Sequence, residues 1–215
     1  MKKSAIVIGA TGLVGQSLVE QLAEAEHIDK IITLTRRPVK YISANVTNHV
    51  VDFDHLENHA SLFNADILFS CLGTTRKQAG SIAAQRVVDL DYQVKAAQLA
   101  ASNGVTHYLV ISSSGADKNS SNPYLKMKGE LEKMVKYLSI KRISIFRPSL
   151  LLGPRPGLRL AEKLGSFILP VLVIIPWLRR YRPIKGEQVA AKMVQVSQQP
   201  GQARECFQLD EIFIK

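Results

Sequence analysis

Tyr124 and Lys128 stand four residues apart in Asn122-Pro123-Tyr124-Leu125-Lys126-Met127-Lys128. Asparagine suits the N-cap of a helix and proline its first helical position. Residues at i and i+4 share one helical face, so the phenol and the ammonium would project together. A tyrosine with a pKa of about 10 is a poor acid or base at neutral pH. A neighbouring ammonium favours the phenolate and lowers that value. Such a pair can exchange a proton with an alcohol or a carbonyl oxygen. Upstream, an apolar run ends in Ser112-Ser113-Ser114-Gly115. A serine hydroxyl there could hold the substrate oxygen.

Proton exchange at a carbonyl is half of a redox reaction, and the other half needs a hydride carrier. Near the start of the chain, Ala5-Ile6-Val7-Ile8 runs into Gly9-Ala10-Thr11-Gly12-Leu13-Val14-Gly15, and an amphipathic stretch comes next. Strand, glycine turn and helix are the physical recipe for holding a pyrophosphate. Gly9 permits the tight turn, Gly12 allows close backbone approach to the phosphates, and Gly15 lets the new helix pack on the strand. The end of the second strand reads the ribose. A carboxylate there would bond the 2′-hydroxyl of NAD, whereas an arginine would accept the 2′-phosphate of NADP. Here Ile31-Ile32-Thr33-Leu34-Thr35 is followed by Arg36-Arg37, with no carboxylate at that turn. Arginine meets phosphate bidentately and stays charged. NADP(H) is therefore the expected cofactor.

Two further strand ends bear on the same ligand. Val51-Asp52-Phe53-Asp54 offers a carboxylate for the adenine amino group. Asp52 is the candidate; Asp54 could instead cap the next helix. Ligands of a parallel sheet sit beyond the carboxyl ends of its strands. The segment Cys71-Leu72-Gly73 after Asp66–Ser70 is thus expected to line the cofactor. Cys71 has no histidine nearby in sequence and is read as lining rather than as a nucleophile.

The elements that must carry these residues alternate. Strand-like runs fall at Ala5–Ile8, Ile31–Leu34, Val50–Phe53, Ile67–Ser70, Tyr108–Ser112 and Ile143–Phe146. Helix-like segments fall at Leu13–Glu26, Ile82–Asn103 and Tyr124–Leu138. Short apolar strands alternating with helices mean a doubly wound parallel sheet of α/β class, Rossmann-type. After Arg147-Pro148 the character changes. A Gly/Pro loop leads to an apolar, proline-interrupted stretch, then to a helix over Gly186–Ser197 and a strand near Cys206–Leu209. The chain reads as a single domain over 1–215, with 149–215 as a small appendage for substrate or interaction.

Taken jointly, these motifs resemble the short-chain dehydrogenase/reductase superfamily. They are similar to its atypical branch, which includes the Tat-interacting-protein oxidoreductases and bacterial NAD(P)-binding homologues. The resemblance rests on the glycine motif, Thr35-Arg36-Arg37-Pro38 and Ser70-Cys71-Leu72-Gly73-Thr74-Thr75-Arg76. It continues through Ser112–Asp117, Tyr124–Glu130 and Phe146-Arg147-Pro148. It implies a Rossmann fold, NADP(H) preference, Tyr124 as proton donor/acceptor and Lys128 as its partner, which also contacts the nicotinamide ribose. It further implies cofactor contacts from Gly9, Thr11, Gly12, Leu13, Val14, Arg36, Arg37, Leu72 and Gly73. Two features depart from the superfamily pattern. Three serines compete for the superfamily's serine role, with Ser114 the first candidate and Ser113 the second, and the link from Ser114 to Tyr124 is short. That link, with a C-terminal third smaller than in sugar-nucleotide epimerases, points to a small carbonyl or alcohol substrate. The competing reading is an NADP(H)-sensing regulatory or interaction module without turnover.

The bulk composition bounds the rest. With 215 residues, 46% hydrophobic, the chain can bury one full α/β core. Two distant cysteines, Cys71 and Cys206, form no disulfide or zinc pattern, so a reducing cytoplasm and no metal are expected. Lys2 and Lys3 precede an apolar run, but the run is short and ends in the glycine turn, unlike a secretory leader. No apolar stretch reaches the roughly 18 residues that a spanning helix requires. The net charge of +10 attracts anions. The basic residues are scattered, and no recognition helix or RNA-binding motif accompanies them, so no specific nucleic acid is expected. The segment 167–182 places Phe167–Leu178, including Ile174 and Trp177, before Arg179-Arg180-Tyr181-Arg182. It fits a pocket wall, a peripheral membrane contact, or packing against the core or a second subunit.

Overall fold

The computed structural model describes residues 2–153 and 180–214. Seven of its strands form one sheet. They are β1 (Lys3–Ile8), β2 (Ile28–Thr35), β3 (Val46–Val50), β4 (Ile67–Ser70), β5 (His107–Ile111), β6 (Arg142–Arg147) and β9 (Arg204–Gln208). Across the sheet they lie in the order β3-β2-β1-β4-β5-β6-β9. Every neighbouring pair is parallel. The chain winds outward from β1 to β3 and then returns to β4 on the other side of β1. The strand order therefore reverses between β1 and β4, where a crevice opens beyond the carboxyl ends. In register, Ile8 lies beside both Leu34 and Ser70, so the three strands end side by side.

The central strands are apolar on both faces because helices cover both. On one face, α1 (Leu13–Glu24) and α6 (Gly186–Gln198) pack together. Leu18, Leu22, Val189 and Met193 join Val7 and Phe69 in one buried cluster. On the other face, Leu90, Val94, Leu131 and Val135 meet Ile6, Leu68 and Val110. These residues come from a broken helix and from α5 (Pro123–Lys136). The broken helix starts as α3 (Ile82–Arg86), widens into a π-turn at Val87–Asp91 and resumes as α4 (Tyr92–Ser102). The four-residue α2 (Arg76–Ala79) precedes it, and a 3₁₀ segment, Leu56–Phe63, links β3 to β4.

The apolar pattern locates five of the six expected strands. The exception is the third, which spans Val46–Val50 rather than Val50–Phe53. The edge strand carries Thr47, Asn48 and His49, and no residue of it is fully buried. An edge strand open to water needs no apolar run, so hydrophobicity misses it. Asn48 explains its polar face: its side-chain amide donates to the hydroxyls of Thr33 (2.9 Å) and Thr35 (2.8 Å) on β2. The C-terminal segment contributes α6 and β9 to the core and sheet. Outside the sheet it adds the two-stranded pair β7 (Leu151–Leu152) and β8 (Ile184–Lys185). Most of 167–182, with Ile174 and Trp177, lies outside the described residues. Within it, the Arg182 guanidinium sits 3.7 Å over the Phe213 ring.

Candidate cofactor and active site

Gly9 turns with φ +78°, a conformation that favours glycine. A Cβ there would sit 2.4 Å from the Cys71 carbonyl carbon. Gly15 is equally constrained, since its Cβ would fall 2.1 Å from the Gly9 oxygen. The helix can rise this close to β1 only without that atom. Gly12 differs: a Cβ would come no closer than 3.3 Å to any protein atom. Its bare backbone instead faces the crevice. Gly12 is also the N-cap of α1, and no side chain caps it. The first-turn amides are thus left for an acceptor from outside, and the positive end of the helix dipole points at the same place.

The crevice has a volume of about 520 Å³, within the usual range of small-molecule and cofactor sites. Among the expected contacts, Gly9, Thr11, Gly12, Arg36, Cys71, Leu72 and Gly73 line it. Phe53 and Tyr92 line it as well, with ring centroids 5.5 Å apart. Sequence reasoning misses both. Phe53 is overshadowed by the carboxylates flanking it, and Tyr92 lies inside a long helical pattern.

Other expected contacts occupy different places. Val14 is buried in the core of α1, and Gly15 packs on the Gly9 turn. Leu13 lies against Gly153 and Gly186, where the C-terminal segment meets the glycine turn. Arg37 is exposed, and its carbonyl accepts the Thr35 hydroxyl at 2.7 Å. Asp52 is exposed past the end of β3; its Oδ1 accepts the Asp54 amide, and it is not among the residues that line the crevice. Asp54 caps no helix. It accepts the Tyr92 hydroxyl at 2.5 Å. Burial and that carboxylate push the Tyr92 hydroxyl up to about 12. Burial also pushes the Cys71 thiol up to about 12. A thiol so held stays protonated at neutral pH, which accords with a lining role rather than a nucleophilic one.

The second half of the site starts at the end of β5. Ser112 is buried, and its hydroxyl donates to Glu132 Oε1 at 2.5 Å, next to the Glu132–Arg147 ion pair. That hydroxyl is committed to structure. Ser113 and Ser114 are half-buried, and the Ser114 amide donates to the Pro148 carbonyl at 3.1 Å. The loop they begin is thereby pinned to the exit of β6. Asn122 caps α5 as its sequence suggests, with Oδ1 accepting the amides of Tyr124 (3.0 Å) and Leu125 (3.3 Å). Tyr124 is half-buried on the first turn. Among the described residues, Tyr124, Ser113 and Ser114 do not line the crevice.

Lys128 is only 2% exposed. Its Nζ lies 3.1 Å from Asp89 Oδ1 and donates to the Ile111 carbonyl at 3.4 Å. Asp89 Oδ2 accepts the amide of Thr74, a crevice residue, at 3.0 Å. The structure therefore ties Lys128 to the crevice wall through a carboxylate on the π-turn. Among the described residues, no cluster of three or more His, Cys, Asp or Glu could hold a metal, and no helix is long and apolar enough to cross a membrane.

Comparisons with known proteins agree with this geometry. A family described as NAD(P)H-binding matches residues 9–164. Rat "Protein HTATIP2" is 37% identical over 190 residues, covering 80% of this chain and 78% of that protein. The "Protein FMP52, mitochondrial" of Candida glabrata is 38% identical over 157 residues, covering 72% of this chain and 66% of its own length. Among solved structures, the Bordetella bronchiseptica enzyme WbmH in complex with NAD+ superposes with a TM-score of 0.72 at 14% identity. That match covers 97% of this chain and 75% of WbmH. Glycine turn, switch-point crevice and these relatives together show that the chain belongs to the NAD(P)H-binding family, as a homologue of HTATIP2.

Proposed function

We propose that the protein is an NADP(H)-dependent oxidoreductase acting on a small carbonyl or alcohol. The observation that carries the reading is Arg36, which comes directly after β2 and lines the crevice with no carboxylate of its own turn beside it. The uncapped amides of α1 and the bare backbone of Gly12 would hold the pyrophosphate. Arg36 would meet the 2′-phosphate with its planar fork. Phe53 and Tyr92 would flank the adenine, in place of the Asp52 contact expected from sequence. When bound, NADPH supplies the hydride. Tyr124 Oη gives the proton to the substrate oxygen, Ser114 or Ser113 orients that oxygen, and Lys128 supports Tyr124 from the next turn of α5.

The short loop between Ser114 and Tyr124 supports a small substrate. It is drawn tight by Gly115 at φ +79° and by the Asp117 amide bonding to the Leu125 carbonyl. Two free cysteines, Cys71 and Cys206, support a reducing compartment. The cytoplasm is the simplest such place, and fractionation decides between it and the organelle printed in the fungal relatives' names.

The test is a titration with NADPH and NADH of the wild type and of Arg36→Ala. Tight NADPH binding that weakens about tenfold in the variant, with NADH little changed, is the expected result. Equal binding of both nucleotides to both proteins overturns NADP(H) preference. Failure of the wild type to bind either overturns the cofactor reading.

A further inference from the structure

Asp89 is a carboxylate 1% exposed, on a π-turn between two stretches of regular helix. Burying a charge is costly unless it is paired and hydrogen-bonded. The Asp89 carboxylate divides its partners between the crevice wall and helix α5. Oδ2 accepts the Thr74 amide at 3.0 Å. Oδ1 lies 3.1 Å from Lys128 Nζ, in charge contact rather than in an aligned hydrogen bond. Gly73 lies directly above it, since a Cβ on that glycine would be 3.5 Å from Oδ1. The backbone of Thr74 is held a second time, for its carbonyl accepts the Gln85 side-chain amide at 3.2 Å.

The carboxylate projects from within the π-turn. One extra residue in the turn rotates the downstream side chains by about 100° relative to a regular helix. Gln93 steadies the widened turn: its Nε2 donates to the Asp89 carbonyl at 2.9 Å, and its Oε1 accepts the Ser70 hydroxyl at 2.8 Å. The widened turn is thereby tied to the end of β4, from which the crevice wall departs. A buried ion pair is a poor device for stability alone, because well-packed apolar residues of similar volume serve at least as well.

We propose that Asp89 is a positioning residue of the dinucleotide site: one carboxylate that fixes the Lys128 ammonium and the Gly73–Thr74 backbone against each other. The proposal rests on the reading that the crevice holds NADP(H). Asp89 acts through Lys128 and the crevice wall, not by touching substrate.

The experiment compares wild type, Asp89→Asn, Lys128→Met and the double variant. Asparagine keeps the shape and an acceptor for the Thr74 amide but loses the charge that holds Lys128. Leu131→Ala, a core truncation on the same helix as Lys128, controls for lost stability. The first readout is NADPH affinity at a temperature where every variant is folded. Asp89→Asn is expected to bind about tenfold more weakly than wild type, Leu131→Ala within about twofold, and the Asp89→Asn cost is expected to vanish in the Lys128→Met background. Affinity of Asp89→Asn equal to wild type or to Leu131→Ala overturns the proposal. So does an undiminished cost in the Lys128→Met background.

The second readout is hydrogen exchange of residues 72–74 without nucleotide. Faster exchange in Asp89→Asn than in Leu131→Ala is expected; equal exchange overturns the clamp. If the wild type binds no nucleotide, the cofactor reading fails, and this second readout still decides the clamp. Should Asp89→Asn not fold, Asp89→Glu replaces it. A displaced charge is expected to leave binding about tenfold weaker, and wild-type affinity overturns positioning.

Discussion

Arg36 and Arg37 are adjacent, chemically identical and both exposed, yet only Arg36 lines the crevice. Replacing Arg37 with alanine should change NADPH affinity by less than about twofold, whereas Arg36→Ala should cost about tenfold or more. Parallel titrations of the two variants check this. Tyr124→Phe removes the proton and little else. Turnover should fall on the order of a hundredfold or more while NADPH affinity stays near the wild-type value. A variant that keeps its turnover would remove Tyr124 from the chemistry. At this scale the glycines and Arg36 are legible in the sequence because each residue type answers a local need of turn or charge. Asp89 is not. An aspartate inside a helical pattern ordinarily faces water, and apolar spacing does not reveal that this one is buried. Phe53 and Tyr92 are hidden for a related reason, since an apolar side chain reads as core until a crevice is seen beside it.

Helix α5 docks by way of Gly129. A Cβ there would stand 2.1 Å from the Lys118 amide nitrogen and 2.3 Å from the Asp117 carbonyl carbon. Both atoms are backbone and neither can swing aside. Gly129→Ala should therefore displace the loop between Ser114 and Tyr124 and destabilise the protein by about 1–3 kcal/mol, read by denaturant unfolding. Impaired turnover with unchanged NADPH affinity would accompany it, because the displaced loop belongs to the substrate end. The elements themselves are largely visible in sequence. Apolar strands at the sheet centre announce themselves, and Asn122-Pro123 marks the start of α5. Edge strand β3 does not, because its Thr47, Asn48 and His49 face water and a polar ladder instead of a core.

Across the whole molecule, stability should depend on acid pH through buried imidazoles. His107 sits at the start of β5, with Nε2 2.8 Å from the Ser144 hydroxyl, which in turn donates to Glu205. Burial, then the charges of Arg142 and Lys3, lower it from 6.5 to about 3. His27 is lowered in the same direction, by burial and then Lys3. The unfolded chain thus binds protons that the folded chain refuses. Stability is fully present above about pH 6.5 and is lost as pH falls toward 3, on the order of 3 kcal/mol by pH 4 from His107. Urea unfolding of wild type and His107→Gln across this range checks it; the glutamine variant should show a flatter pH dependence. The packing of α6 on α1 has a consequence for the birth of the protein. Leu18 and Leu22, just behind the glycine turn, find Val189 and Met193 only when residues 186–198 have left the ribosome. A nascent chain that already contains the whole glycine motif still lacks the layer that braces it. Competence to capture nucleotide should therefore switch on only after residues 186–198 have emerged, and arrested chains ending before residue 186 should be clients of chaperones rather than of the cofactor.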